Sequence, residues 1–210
     1  MAAKTDTAIY KGNTRLYVVG LASAIVVLSA ATLLALGTAP AWEHSLTRAM
    51  NGLPESWSKP VEWVTELGSP WMAVVAVVVA FFARFYRLAW RLALSIFGGY
   101  AGAYLVKHVV GRERPFELFG DIHARVHETG MGFPSGHATI STIVMLTLLP
   151  YLSLKWRIVV PVVILAVSLS RLYLGVHLPL DVVGGMALGT IVVASMRLLP
   201  QSLRVFLRID

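Results

Sequence analysis

The chain has 210 residues, of which 57% are apolar and only 14% charged, a balance that excludes an ordinary water-soluble globule and describes a membrane protein. It contains no cysteine, so disulfide frameworks and thiolate metal sites are excluded as well. The formal charge of +7 would suit nucleic-acid binding only if the basic residues formed a wettable surface, whereas here they separate apolar runs.

In chain order, residues 16–36 form the first uncharged run, long enough as a helix to cross about 30 Å of hydrocarbon. Lys4, Lys11 and Arg15 before it, and the small residues around Ala39, leave a cleaved leader as the rival reading, against which stand its length and the further runs downstream. Residues 42–67 are too polar to cross. Their Trp42, Trp57 and Trp63 suit the headgroup level, and Glu62 and Glu66 fall on one helical face with Val61, Val64 and Leu67 on another, so this stretch is predicted to be an amphipathic interfacial segment. Further spans are predicted over 70–83, 88–106, 136–152, 158–169 extended toward Tyr173, and 182–199. Pro161 in the fifth is placed in a first turn, where its missing N–H is tolerated. The expected fold is an all-α polytopic membrane protein, a six-helix bundle forming a single domain over residues 1–210. With both termini cytoplasmic, one side receives eleven of the eighteen Lys and Arg with only Asp6 and Asp210, while the other receives seven with nine acids.

Three polar stretches interrupt the apolar background: 107–115, 134–137 and 170–181. Each lies at the outer end of a predicted span, so alternation of the spans brings all three to one face. Lys107, Arg114 and Arg171 placed together would repel one another, and burial without an anion would be costly. Two guanidinium forks and one mobile ammonium suit a doubly charged phosphoryl group. Ser135 and Gly136 at the start of the fourth span would add a hydroxyl, free N–H groups and close approach. His177 and Asp181, four apart, would on a helix place the carboxylate beside the imidazole, fixing its tautomer and stabilising a cation formed during attack. His137, facing them, could protonate a departing oxygen and then activate water.

Lys107, six residues, Arg114-Pro115; Pro134-Ser135-Gly136-His137; and Ser170-Arg171, five residues, His177, three residues, Asp181: together these resemble the tripartite signature of the type 2 phosphatidic acid phosphatases, which share their core with vanadium-dependent haloperoxidases. The resemblance implies His177 as the nucleophile that forms a phosphohistidine, Asp181 as its orienting partner, His137 as acid and later base, and Lys107, Arg114, Ser135, Gly136 and Arg171 as holders of the phosphoryl oxygens. It implies no metal and no other cofactor.

Other features carry less. His123 and His127 are two imidazoles without further clear metal ligands, and Arg84, Arg87 and Arg91 are explained by topology alone. Arg112 and Glu113 sit beside the signature without belonging to it, and Arg125 meets a headgroup or stays hydrated. Gly98, Gly99 and Gly102, and again Gly184, Gly185 and Gly189, give small-residue spacing for close helix packing, within one chain or in a homodimer. The expected function is a lipid phosphate or pyrophosphate phosphatase of a bacterial plasma membrane with its site on the outer face. Its partners are the bilayer and a phosphorylated membrane lipid, not nucleic acid. The first substrate expectation is polyprenyl pyrophosphate, with phosphatidylglycerol phosphate and phosphatidic acid as alternatives. A lipid-linked phosphotransferase and a non-catalytic lipid-binding scaffold are the rival classes.

Overall fold

The computed structural model describes residues 14–200, 202, 203 and 207. The flanking charges Lys4, Asp6, Lys11, Arg204, Arg208 and Asp210, used above to orient the chain, lie outside them. The described residues form helices α1 (Thr14–Ala35), α2 (Ala41–Asn51), α3 (Ser58–Glu66), α4 (Pro70–Phe82), α5 (Tyr86–Val110), α6 (Pro115–Leu118), α7 (Gly136–Leu148), α8 (Val159–Tyr173) and α9 (Pro179–Leu198), and no strand. Each of the six predicted apolar segments coincides with one of these, namely α1, α4, α5, α7, α8 and α9.

By length and composition three helical stretches suffice to cross a membrane: Thr14–Ala35, Leu154–Tyr173 and Pro179–Leu198. A fourth becomes available if Glu55–Glu66 and Pro70–Phe82, bent by 45°, act together. The predicted six exceed this number for physical reasons. Helices α4 and α7 have 13 residues each, a rise of about 20 Å, and α5 is diluted by Arg87, Arg91, Lys107 and His108.

Local chemistry sets the helix ends that matter for the site. Ser69 caps α4, accepting the Met72 N–H at 3.3 Å with Pro70 following it. Ser135 caps α7 by accepting from Ala138 N–H at 3.4 Å. Gly111 takes φ +62° and ends α5 with its N–H on the Lys107 carbonyl at 2.8 Å, which turns the chain toward Arg112. Pro161 falls in the first turn of α8, as expected.

Packing places α9 against α1 and α7, α5 against α4 and α7, and α3 against α8. Helix α1 buries only Ala24, Ala31 and Ala35 and exposes Leu16, Val19, Val26 and Leu33, the small-inside, large-outside order of a helix in lipid. The glycine faces are used within the chain. Gly102 faces Leu188 of α9, while Gly189 on α9 lies so close to α7 that a Cβ there would stand 2.7 Å from the Thr139 carbonyl oxygen and 2.8 Å from Thr142 Cβ.

The segment 42–67 is helical over most of its length. Trp42, Trp57 and Trp63 are exposed, but Glu43, Thr47, Asn51 and Thr65 are buried against the rest of the chain. Asn51 clasps two distant segments, donating to the Tyr173 and His123 carbonyls at 2.9 and 3.0 Å and accepting the His123 N–H at 2.9 Å. Arg125, expected at a headgroup or in water, belongs to the same clasp. It donates to the Asn51 and Leu53 carbonyls at 2.6 and 3.1 Å, pairs with Glu55, and lies 4.6 Å over the Tyr173 ring.

Candidate active site

The three polar stretches converge. Arg114, Ser135, Arg171, His177 and Asp181 are each at most 3% exposed, with Lys107, Gly136 and His137 half-buried around them. Lys107 reaches the site from the last turn of α5, Arg114 from the loop before α6, Ser135 to His137 from the start of α7, Arg171 from the end of α8, and His177 and Asp181 from the entry to α9.

The His177 to Asp181 contact is made, but not along a helix. Pro179 at the first position of α9 holds Leu178 extended, at φ −87° and ψ 161°, so His177 lies in the preceding turn. Asp181 in the first turn then reaches back. Its Oδ2 accepts the Leu178 N–H at 2.8 Å and stands 3.3 Å from His177 Nδ1. The expected pair is therefore a helix-cap geometry, which orients the ring with Nε2 as the unengaged nitrogen. Burial first, and then the charges of Arg171, Arg114 and Lys107, push the His177 imidazole well below its ordinary value of 6.5. That favours the neutral imidazole, the form with a free lone pair.

Ser135 ties the entry of α9 to that of α7, its N–H donating to the Asp181 carbonyl at 2.9 Å. Gly136 has open space where a Cβ would project. His137 stands within electrostatic reach of Arg171, Arg114 and Glu128. A cavity of about 260 Å³ opens onto His137, Arg171 and Glu128, walled on the other side by Trp63, Thr65, Glu62 and Glu66 of α3. His177 does not line it but stands within electrostatic reach of two residues that do, Arg171 and Glu128.

The three cations are held by one short segment that the sequence did not single out. Lys107 Nζ donates to the Met131 carbonyl. Arg114 donates through Nε to the Gly130 carbonyl at 2.8 Å, and through Nη2 to the Thr129 carbonyl at 3.0 Å and to Glu128 at 3.3 Å. Arg171 donates to Glu128 and, at 3.0 Å, to Thr65 Oγ1, while its buried Nε has no acceptor. Residues 128–131 thus present a carboxylate and three carbonyls to the side chains predicted to hold a phosphoryl group. Burial alone would raise the Glu128 carboxyl, but Arg171 and Arg114 outweigh it and hold it below 4.5, so the group is an anion at neutral pH. A phosphoryl group that took the same Arg171 nitrogen would have to displace it. Glu128→Gln is expected to lower the inhibition constant of orthovanadate or orthophosphate about tenfold, the effect of roughly 1.4 kcal/mol of lost competition. An unchanged constant would show that Glu128 does not compete.

Two more residues were missed. Arg112, set aside as outside the signature, is buried and donates to Asp181 Oδ1 at 2.9 Å and to both oxygens of Glu43. Glu43, placed on an outer surface by its segment's polarity, is fully buried and also accepts the Leu180 N–H at 2.8 Å. The only sequence signal for either is a charge in an otherwise apolar chain. Among the described residues no set of three His, Asp or Glu side chains is arranged to hold a metal ion, which leaves His123 and His127 without the further ligands a metal would need.

Residues 88–204 match the family model of the PAP2 superfamily. Phosphatidylglycerophosphatase B of Bacillus subtilis is 31% identical over 70% of this chain and 77% of its own length. An undecaprenyl-diphosphatase of Sulfolobus acidocaldarius is 33% identical over 57% of this chain and 58% of its own. In fold, the chain superposes with a TM-score of 0.66 on the crystal structure of a transmembrane PAP2-type phosphatidylglycerolphosphate phosphatase from Bacillus subtilis, 24% identical, covering 86% of this chain and 93% of that one. Convergent signature residues, an all-helical membrane fold and these similarities have one reading: the chain belongs to the PAP2 superfamily of membrane phosphatases.

Proposed function

We propose that this enzyme releases orthophosphate from a membrane lipid phosphate by way of a phosphohistidine on His177. The observation that carries the reading is the buried His177 with Nδ1 against Asp181 and the charges of Arg171, Arg114 and Lys107 beside it. In the first step the Nε2 lone pair attacks phosphorus, the N–P bond forms, and the bond from phosphorus to the lipid oxygen breaks. The negative charge of the bound phosphoryl group beside it keeps His137 protonated, and His137 gives that proton to the oxygen as it leaves. Lys107, Arg114, Arg171 and the α7 N-terminus at Ser135 and Gly136 carry the charge on the phosphoryl oxygens. Asp181 retains the Nδ1 proton in place and offsets the positive charge that His177 acquires. In the second step His137 takes a proton from water, whose oxygen attacks phosphorus, and the P–N bond breaks to free phosphate.

Six spans, with α1, α4, α5, α7, α8 and α9 each crossing and the short ones locally thinning the bilayer or anchored by snorkelling flanking residues, would put both termini in the cytoplasm and the site on the outer face. The exposed Trp42, Trp57 and Trp63 would then sit at the outer headgroup level.

Phosphatidylglycerol phosphate and polyprenyl pyrophosphate are the substrates suggested by the named relatives. Glu62, Glu66 and Glu128 line the cavity, and carboxylates there repel the extra charge of a diphosphate while accepting hydrogen bonds from hydroxyls. This ranks the hydroxylated monoester ahead of the diphosphate. The test is phosphate release in mixed micelles from phosphatidylglycerol phosphate, polyprenyl pyrophosphate, phosphatidic acid and a soluble phosphomonoester. A kcat/KM at least about tenfold higher for one lipid identifies the substrate class, and equal values on all four would contradict a dedicated lipid substrate. Labelled phosphate appearing on an acceptor lipid instead of in solution would make the enzyme a transferase.

A further inference from the structure

Asp181 is fully buried and its two oxygens face different partners. Oδ2 serves Leu178 N–H and His177, while Oδ1 takes the Arg112 guanidinium at 2.9 Å. A single guanidinium against a carboxylate would draw off the negative charge on which the His177 cation depends. Glu43 stands on the other side of that guanidinium and takes both of its terminal nitrogens. With all three ionised, the buried set of Glu43, Arg112 and Asp181 carries one net negative charge, and Asp181 Oδ2 is the oxygen it turns to His177. The planar fork also locks the carboxylates in one geometry. Glu43 fixes the set to the entry of α9 through the Leu180 N–H at 2.8 Å. Arg112 spends its terminal donors on these two carboxylates and is 6% exposed, so it acts through Asp181 and not on substrate.

We propose that Glu43 and Arg112 are positioning residues for catalysis: Arg112 fixes the Asp181 carboxylate, and Glu43 cancels the charge of Arg112 so that Asp181 remains an effective anion for His177. The inference rests on the assignment of His177 and Asp181 above. Removing the charge of Glu43 leaves the phosphate-holding side chains untouched, so the loss falls on kcat and spares binding.

The test uses the full chain in detergent, the lipid hydrolysed fastest in the panel above, and orthovanadate as the binding probe. Glu43→Gln is expected to lower kcat at least about tenfold, with KM and the vanadate inhibition constant within about twofold of the parent. Glu43→Asp keeps the charge but fits the site less well than the isosteric amide. It is expected to be the more active of the two, the opposite of the order a purely structural role would give. Arg112→Lys keeps a charge but cannot bridge two carboxylates with a fork, and is expected to lose kcat about tenfold as well. A Gln variant as active as the Asp variant, or a loss appearing in KM alone, overturns the proposal. Should Glu43→Gln fail to yield monodisperse protein, a folded Arg112→Lys enzyme with the parent kcat overturns it equally. His177→Ala run alongside separates the two levels: activity there removes the nucleophile assignment, whereas an inactive His177→Ala beside an unimpaired Glu43→Gln removes only this inference.

Discussion

Replacing His177 by alanine is expected to reduce phosphate release by about 10⁴-fold or more, the loss that follows when a nucleophile goes and only the electrostatic cradle is left. The folded state should survive it. Asp181 keeps its bonds to Arg112 and the Leu178 N–H, so no buried charge is orphaned, and the vacated imidazole costs about 1–3 kcal/mol. Two measurements are needed together: phosphate release from the preferred lipid, and size-exclusion behaviour with a melting curve in detergent. Quenching the parent enzyme in alkali with labelled substrate should trap phosphate on the protein, and the alanine variant should trap none. A folded variant within tenfold of the parent would move the nucleophile elsewhere.

Gly189→Val is expected to be as damaging to the scaffold as His177→Ala is to the chemistry. Even a bare Cβ would stand 2.7 Å from the Thr139 carbonyl oxygen and 2.8 Å from Thr142 Cβ, and a main-chain oxygen inside a helix has no rotamer with which to yield. Helices α7 and α9 must then separate. The first carries His137 and the second Asp181, so the shift reaches the site even though Gly189 is two turns away from it. Overpacking of this kind costs about 1–3 kcal/mol, and a displacement near 1 Å is enough for about a 10²-fold loss of rate. Gly20→Ala supplies the control, because nothing lies within 4 Å of the Cβ it would add. A Gly189→Val enzyme with the melting temperature and kcat of the parent would contradict the packing described here.

The residues that the sequence exposed most clearly were those whose chemistry is unusual for their surroundings. Lys107, Arg114, His137, Arg171, His177 and Asp181 stand out in an apolar chain, and the structure brings the three stretches that carry them together. Helix existence was legible for the same reason, since uncharged runs have few alternatives in lipid. Spanning was less so, because α4 and α7 are cut short by Arg84 and Pro150, features that periodicity does not weigh. The route by which His177 meets Asp181 was misread. Spacing of four suggests one helical face, but Pro179 forbids a helix across the pair and substitutes a cap. Glu43, Arg112 and Glu128 were out of reach for a different reason. Glu43 meets Arg112 and Leu180 from 69 and 137 residues away, Arg112 meets Asp181 from 69 and Glu128 meets Arg171 from 43, and no local pattern reports which buried charge will meet which.

The attachment of Glu43 to Leu180 bears on how the protein is made. Synthesis delivers α2 and Arg112 to the membrane well before α9 emerges, and during that interval a glutamate and an arginine await the aspartate that completes their set. On the proposed roles of His177 and Asp181, hydrolytic competence therefore arises only once α9 has inserted. A nascent chain stalled short of it would then hold no working centre with which to attack the lipids around it.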